Sequence, residues 1–296
     1  MVATQPLPAL PPISISTYTP IPASRYNFDE LAAIYNQTRV DYIVPMPMNG
    51  KRMEMYVKSY DVDLDASVVA FDHEGQMAGI GMLGVRDDRA WITRVGVLPE
   101  RRGHNLGLFL LEVLLQRAYE RRTRLVQLEV IKGNIPAHRL FLKLGFRQTR
   151  ELLVVRRPPG KPQVDVPSDG LIITQLNAAE IEACLAERGS GASWLDETTS
   201  LLKAGSLKGI RIEFASGEVG WAVYQGSALQ LAYIVLHTPT AVRDEMTLAL
   251  LHAIHVRHPM QDTKVENMAA LDLRWPIYQN MGYVEAFRRI EMFKYL

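Results

Sequence analysis

Cysteine is nearly absent from this chain of 296 residues, and Cys184 stands alone. One cysteine forms no internal disulfide, and with no CxxC or Cys/His spacing there is no structural zinc to expect. That points to a reducing, cytoplasmic setting. Charge imbalance is missing as well: Lys and Arg number 33, Asp and Glu 32, for a formal net charge of +1. Global electrostatics therefore ask for no nucleic acid, no anionic membrane and no acidic substrate, and a small, near-neutral partner fits better. No apolar run approaches the roughly 18 to 20 residues of a membrane span, and the start lacks the charged, apolar and small-residue order of a signal peptide. A soluble monomer or homodimer is expected.

What the chain does have is length for two cores of ordinary size. Residues 1–23 are proline-rich and poor in charge, an extended arm in which Ile13 to Tyr18 alternates like an edge strand. Asn27 is a plausible N-cap for a helix carrying Phe28, Leu31, Ala32, Ile34 and Tyr35, and a second helix follows near Gly50 to Tyr60. Ser67 to Phe71 and Gln76 to Leu83 read as a hairpin turning at Asp72 to Gly75, and Ala90 to Leu98 as a further strand. Leu106, Phe109, Leu110, Val113, Leu114 and Ala118 keep a helical period. The helix ends among Arg117, Arg121, Arg122 and Arg124, a cluster suited to the helix dipole and to solvent. A strand at Leu125 to Ile131, a helix at Pro136 to Leu144 and a strand at Phe146 to Val155 complete the first half.

Residues 158–170, with Pro158, Pro159, Gly160, Pro162 and Pro167, are the expected linker. Beyond it Phe214, Pro239 and Gly282-Tyr283 repeat the marks Phe71, Pro99 and Gly145-Phe146 at an offset of roughly 140 residues, the scale of a duplicated domain. The expected division is 24–157 and 171–296.

One loop carries chemistry. Between the strand ending at Val97-Leu98-Pro99 and the helix starting near Leu106 lie Arg102, Gly103, His104 and Asn105, with Gly107 close behind. Helix N-termini leave amides unpaired and carry about half a positive charge, so main-chain donors there can hold a diphosphate. Gly103 and Gly107 keep side chains out of its way, and Arg101 and Arg102 add positive charge. Neither the Walker pattern nor a full GxGxxG is present.

The run Val95-Gly96-Val97 through Arg102-Gly103-His104-Asn105-Leu106-Gly107, then Leu128-Glu129-Val130, Asn134 with Ala137, and Phe141 to Gly145-Phe146, resembles the GNAT superfamily of N-acetyltransferases over about residues 24 to 157. The resemblance implies an α/β (α+β) fold of two tandem GNAT-like domains, each a mixed, mostly antiparallel sheet flanked by helices, in which two strands splay apart. It implies acetyl-CoA as cofactor and no metal. The pantetheine arm would lie along Val95, Gly96 and Val97, and the diphosphate at Arg102, Gly103, His104, Asn105, Leu106, Gly107 and Leu108. Asn134, Ala137 and Phe141 would line the acyl end. The activity implied is attack of a primary amine, on a small molecule or a peptide N-terminus, with the amide of Val97 polarising the thioester carbonyl and the acceptor held between the repeats.

Glu129, twelve positions before Phe141, matches the general-base glutamate of relatives that acetylate ribosomal-protein N-termini. Equally, it fits an ordinary polar residue alternating outward on a strand. The acid position, commonly tyrosine, is Phe141, which has no proton to give; Tyr42, Tyr26 or a water could substitute. Asn105 replaces the middle glycine of the loop, and asparagine is the residue besides glycine that best tolerates left-handed backbone. In the second half Pro239 to Met246 has no glycine and two carboxylates where the phosphate loop would be, which resembles a degenerate GNAT repeat. His252, His255 and His258 step about 60° apart around a helix and read as structural. The alternatives to an enzyme are an acyl-CoA-binding sensor and a scaffold without ligand.

Overall fold

The computed structural model describes residues 17–164, 166, 170–189 and 191–296. The expected edge strand at Ile13 to Tyr18 lies almost wholly outside them. Two compact units are present, one made of the described residues up to 149 with 290–296, the other of the described residues from 150 to 289. The boundary falls within a strand rather than in the proline-rich stretch 158–170, because Leu152 to Arg157 already pair with Thr263 to Ala269 of the second unit.

The first unit starts with β1 (Thr19–Pro22), α1 (Phe28–Gln37) and α2 (Gly50–Ser59). Asn27 caps α1 in a capping box with Glu30, and Asn49 caps α2 through the Arg52 amide. Then come β2 (Val62–Phe71), β3 (Met77–Arg86), β4 (Arg89–Val97), α3 (Leu106–Glu120), β5 (Leu125–Ile131), α4 (Ile135–Lys143) and β6 (Arg147–Arg157). β2 starts earlier than the apolar run suggests, since Asp63 accepts from the amides of Asp65 and Ala66 and the strand passes through a register shift. The strands lie in the order β1-β2-β3-β4-β5, and the chain's last residues lie beside β5, with the Leu296 amide donating to Arg124 O. α3 buries Leu106, Phe109, Leu110, Val113, Leu114 and Ala118 in the core of this unit. Truncating fully buried Leu110 to alanine would cost about 2–5 kcal/mol. At the helix end Arg117 pairs with Glu120 and Arg121 with Asp63, as expected of a solvated face.

The second unit adds β7 (Ile172–Leu176), α5 (Ala178–Ala186), α6 (Thr198–Ala204), β8 (Leu207–Glu213), β9 (Val219–Gly226), β10 (Gln230–His237), α7 (Arg243–Arg257), β11 (Asp262–Ala269), α8 (Trp275–Asn280) and β12 (Val284–Tyr295). Its strand order is β6-β11-β10-β9-β8-β7. His255 is fully buried and meets the Tyr283 hydroxyl at 2.8 Å, while His258 meets Tyr224 at 3.1 Å, so these helical histidines are held by tyrosines.

Both units carry the same irregularity. β4 pairs in parallel with β5 only over Arg89–Trp91 and Leu125–Gln127, and β10 with β11 only over Gln230–Ala232 and Asp262–Lys264. Just beyond, Arg94 (φ 52°) and Tyr233 (φ 52°) adopt left-handed backbone where the registers to β3 and β9 shift. The bulge turns each strand away from its parallel neighbour and opens a splay.

Candidate functional site

In the first unit the splay opens beside the start of α3. Pro99–Arg101 forms a single 3-10 turn, Gly103 has φ 81° and Asn105 has φ 60°. Asn105 thus adopts the left-handed backbone its identity allows, and it does so as the N-cap of α3. Its side chain makes no capping bond and the first turn holds no acid. The amides of Leu106, Gly107 and Leu108 therefore have no intrahelical acceptor, and the positive end of a 15-residue helix is left open. Gly103 meets nothing within 4 Å and is required by its φ; a Cβ on Gly107 would come within 3.3 Å of Leu140, so its smallness serves the approach of α4.

The cationic side chains of the loop are engaged. Arg101 lies 2.6 Å from Asp72. Arg102 grips Asp41 with two bonds of 2.6 and 2.8 Å and donates to Val97 O at 3.3 Å. That pairing holds the Asp41 carboxyl below its ordinary range, the Arg102 hydrogen bond being the largest cause. Asp41 belongs to the segment between α1 and α2, which also sends Arg39 to Val95 O at 3.0 Å and stacks Arg39 over the Tyr42 ring at 3.9 Å. Gly96 is needed here for a different reason, since a Cβ would run into the side chain of Thr38. His104 presents its carbonyl to the Tyr18 hydroxyl at 3.3 Å.

At the other side of the splay, Asn134 caps α4 by accepting from the Ala137 amide at 3.3 Å, and its Nδ2 reaches the Tyr42 hydroxyl at 3.4 Å. The resemblance-derived pair Asn134 and Ala137 is thus joined by a helix cap. Phe141 is buried, its ring set edge-on to Phe146 in the unit's core. Glu129, on β5, accepts from Trp91 Nε1 at 2.8 Å. Around it lie aromatic rings that the sequence reading did not single out. Trp91 packs on Tyr56 and Tyr60, Tyr56 bonds Thr93 at 2.5 Å, and the Arg94 guanidinium sits 4.1 Å from the Tyr56 ring while donating to the Tyr35 hydroxyl. Burial pushes Tyr56 up to about 12, with Glu129 adding to the rise and Arg94 opposing it. The carboxylate and the guanidinium therefore act on one phenol. Tyr26, by contrast, has Glu30 acting on it, near the start of α1.

No signal in composition or period marks Arg39, Asp41, Tyr56 or Arg94, because loop closure and a left-handed strand residue bring them together. Among the described residues no group of three or more His, Cys, Asp or Glu could hold a metal ion, and no helix is long and apolar enough to cross a membrane.

Residues 31–146 match the family model described as acetyltransferase (GNAT) family. A curated relative from Bacillus subtilis (strain 168), a candidate ribosomal protein bS18-alanine N-acetyltransferase, is 32% identical over 82 residues, which span 28% of this chain and 54% of that protein. This chain therefore covers about half the length of that relative. Among solved structures, a GCN5-related N-acetyltransferase from Sphaerobacter thermophilus superposes with a TM-score of 0.65 at 18% identity, covering 94% of this chain and 96% of that one. A tandem GNAT protein from the clavulanic acid biosynthesis pathway does so with a TM-score of 0.64 at 13% identity, covering 94% and 98%. Residues 31–146, with their bulged strand, splay and open helix N-terminus, thus resemble the GNAT acetyltransferase family, and the chain shares its fold with tandem GNAT proteins.

Proposed function

We propose that the first unit binds acetyl-CoA and transfers its acetyl group to a primary amine, on a small molecule or a peptide N-terminus. The observation that carries this reading is the uncapped, acid-free start of α3 next to the splay between β4 and β5. These residues fit the cofactor: orphan amides of Leu106, Gly107 and Leu108 suit a diphosphate, and the separated strand edge at Val95, Gly96 and Val97 suits an amide-bearing arm. Arg102 would exchange the exposed carboxylate of Asp41 for the diphosphate, a trade that water screening makes easy.

When bound, acetyl-CoA supplies the activated acetyl group as a thioester. Glu129 takes the proton that the acceptor ammonium must lose, its other role being the fixed hydrogen bond to Trp91 that sets its orientation. The main-chain N–H of Val97 donates to the carbonyl oxygen as negative charge develops there. Tyr42, held against Asn134, returns a proton to the departing sulfur in place of Phe141.

A thiol-release assay over a panel of amines and peptide N-termini tests the reading. With an accepted amine, Glu129→Gln should lower kcat by about 10²–10⁴-fold with acetyl-CoA affinity unchanged, because glutamine still accepts from Trp91. Tyr42→Phe should lower kcat by a smaller factor. Acetyl-CoA binding with no release above hydrolysis on any amine would favour a sensor instead, the reading that the protonless Phe141 supports.

A further inference from the structure

The second unit contains a cavity of about 410 Å³ that the acetyl-transfer reading does not use. It opens along β10 and β11, where their pairing stops, and is closed by the segment after α5 and the start of α8. One of its cations is already committed. Arg274 donates to Leu236 O at 2.8 Å and to both oxygens of Asp272 at 2.9 and 2.6 Å, so this pair is neutral and fills the strand edge.

Two other donors lining the cavity are differently placed. Trp221 is 5% exposed, and its buried Nε1 has no hydrogen-bond partner. Its ring is fixed by stacking on His237, with centroids 5.4 Å apart and planes 13° from parallel. Arg188 donates to the main-chain oxygen of Asp196 at 2.6 Å and, among the described residues, forms no ion pair within 4 Å. A buried indole N–H without an acceptor is costly to keep. In a cavity that a guanidinium also lines, it marks the place of an anionic oxygen, and guanidinium geometry suits a planar carboxylate.

Beyond the Arg274–Asp272 pair the lining carries Arg150 and Arg188 with Glu187 and Asp196, two charges of each sign. That balance disfavours a multiply charged phosphate and favours a ligand that carries both signs. The first turn of α7 adds Asp244 and Glu245 on the side where a nucleotide-type cofactor would place its diphosphate. We infer that this cavity holds a small zwitterion of the amino-acid class, its carboxylate taken by Arg188 and the Trp221 indole and its ammonium facing Asp196 and Glu187. The volume lies within the ordinary range of small-ligand sites.

Isothermal titration of the full chain tests it, with the proteinogenic amino acids, acetate, methylammonium and inorganic phosphate as separate probes. At least one amino acid should saturate with a dissociation constant below about 1 mM, more tightly than acetate or methylammonium alone. Trp221→Phe and Arg188→Gln should each weaken it about tenfold or more, and Glu187→Gln, an exposed position, should weaken it less. Acetyl-CoA affinity, read on the same samples, should stay unchanged in all three variants. The inference is overturned if no amino acid binds at 10 times that concentration, if phosphate binds more tightly than every amino acid, or if Glu187→Gln and Arg188→Gln both bind as the parent does. Acetyl-CoA binding reports on the first unit alone, so a failure there would be seen separately.

Discussion

The helices α3 and α7 are each 15 residues long and each follow a bulged strand with a left-handed residue, yet their first turns are opposites. α3 starts from Gly103 and left-handed Asn105 with no acid and no side-chain cap; α7 starts from Pro239 and a 3-10 turn and carries Asp244 and Glu245. Neither helix start has a side-chain cap, but the carboxylates of α7 offset the positive end of its dipole, whereas no acid faces that of α3. The strand edges differ in the same sense. Arg102, which reaches Val97 O in the first unit, is paired with a 55% exposed Asp41, while Arg274, which reaches Leu236 O in the second, is paired with a 16% exposed Asp272. The first pairing exchanges readily in water; the second is shielded and stays. One fold thus supplies two splays and, on the proposed reading, short loops decide which takes a diphosphate.

Making α3 resemble α7 is the severest way to break that difference. Gly103→Glu adds a carboxylate at the open helix end and forces left-handed backbone on a residue that resists it, so acetyl-CoA affinity should fall by about 100-fold or more. Melting should fall by only a few degrees, since the left-handed backbone costs about 1–2 kcal/mol and nothing packs within 4 Å of Gly103. Unchanged affinity would move the diphosphate elsewhere.

A second difference is acid sensitivity. Burial pushes His255 down to about 3, with Arg157, His258 and His252 adding to the shift. It is therefore neutral in the fold and takes up a proton on unfolding below about pH 6.5, so stability falls as pH drops from there. The loss approaches about 1.4 kcal/mol per pH unit, roughly 2 kcal/mol by pH 5. Urea unfolding followed by tryptophan fluorescence suits the measurement, since Trp194, Trp221 and Trp275 lie in the second unit and only Trp91 in the first. His255→Gln should flatten the pH dependence between 7 and 5; an equally steep dependence in that variant would assign it to other groups.

Smaller effects sharpen the comparison. Asp41→Asn frees Arg102 without touching α3, and acetyl-CoA should bind several-fold more tightly; weaker binding would mean that Asp41 orders the loop for the cofactor. Removing the acids of α7, as Asp244→Asn with Glu245→Gln, should create no acetyl-CoA site, since Arg274 still holds Leu236 O and no glycine opens the loop.

Much of this contrast is legible in the sequence, for physical reasons. Asn105 and the absence of acids after it foretell an open helix start, because the left-handed tolerance of asparagine and the helix dipole are local properties. The offset between Gly145 and Gly282 marks the repeat for the same reason, both residues having positive φ. The capping box at Asn177 and Glu180 was equally readable as the start of α5, although the helix it begins goes unmarked by a strong apolar period. Two units were readable, but their exact boundary was not. Proline marks a surface loop, whereas β6 and β12 each run from one unit into the other. Nor was the setting of Glu129: Trp91 is 38 residues away, and the hydrogen bond between them depends on strand register.

Titration calorimetry with acetyl-CoA on the full chain and on Gly103→Glu tests the central asymmetry most directly. One molecule bound per chain, and none in the variant, is the expected result. Two molecules per chain, or one bound unchanged in Gly103→Glu, would contradict it.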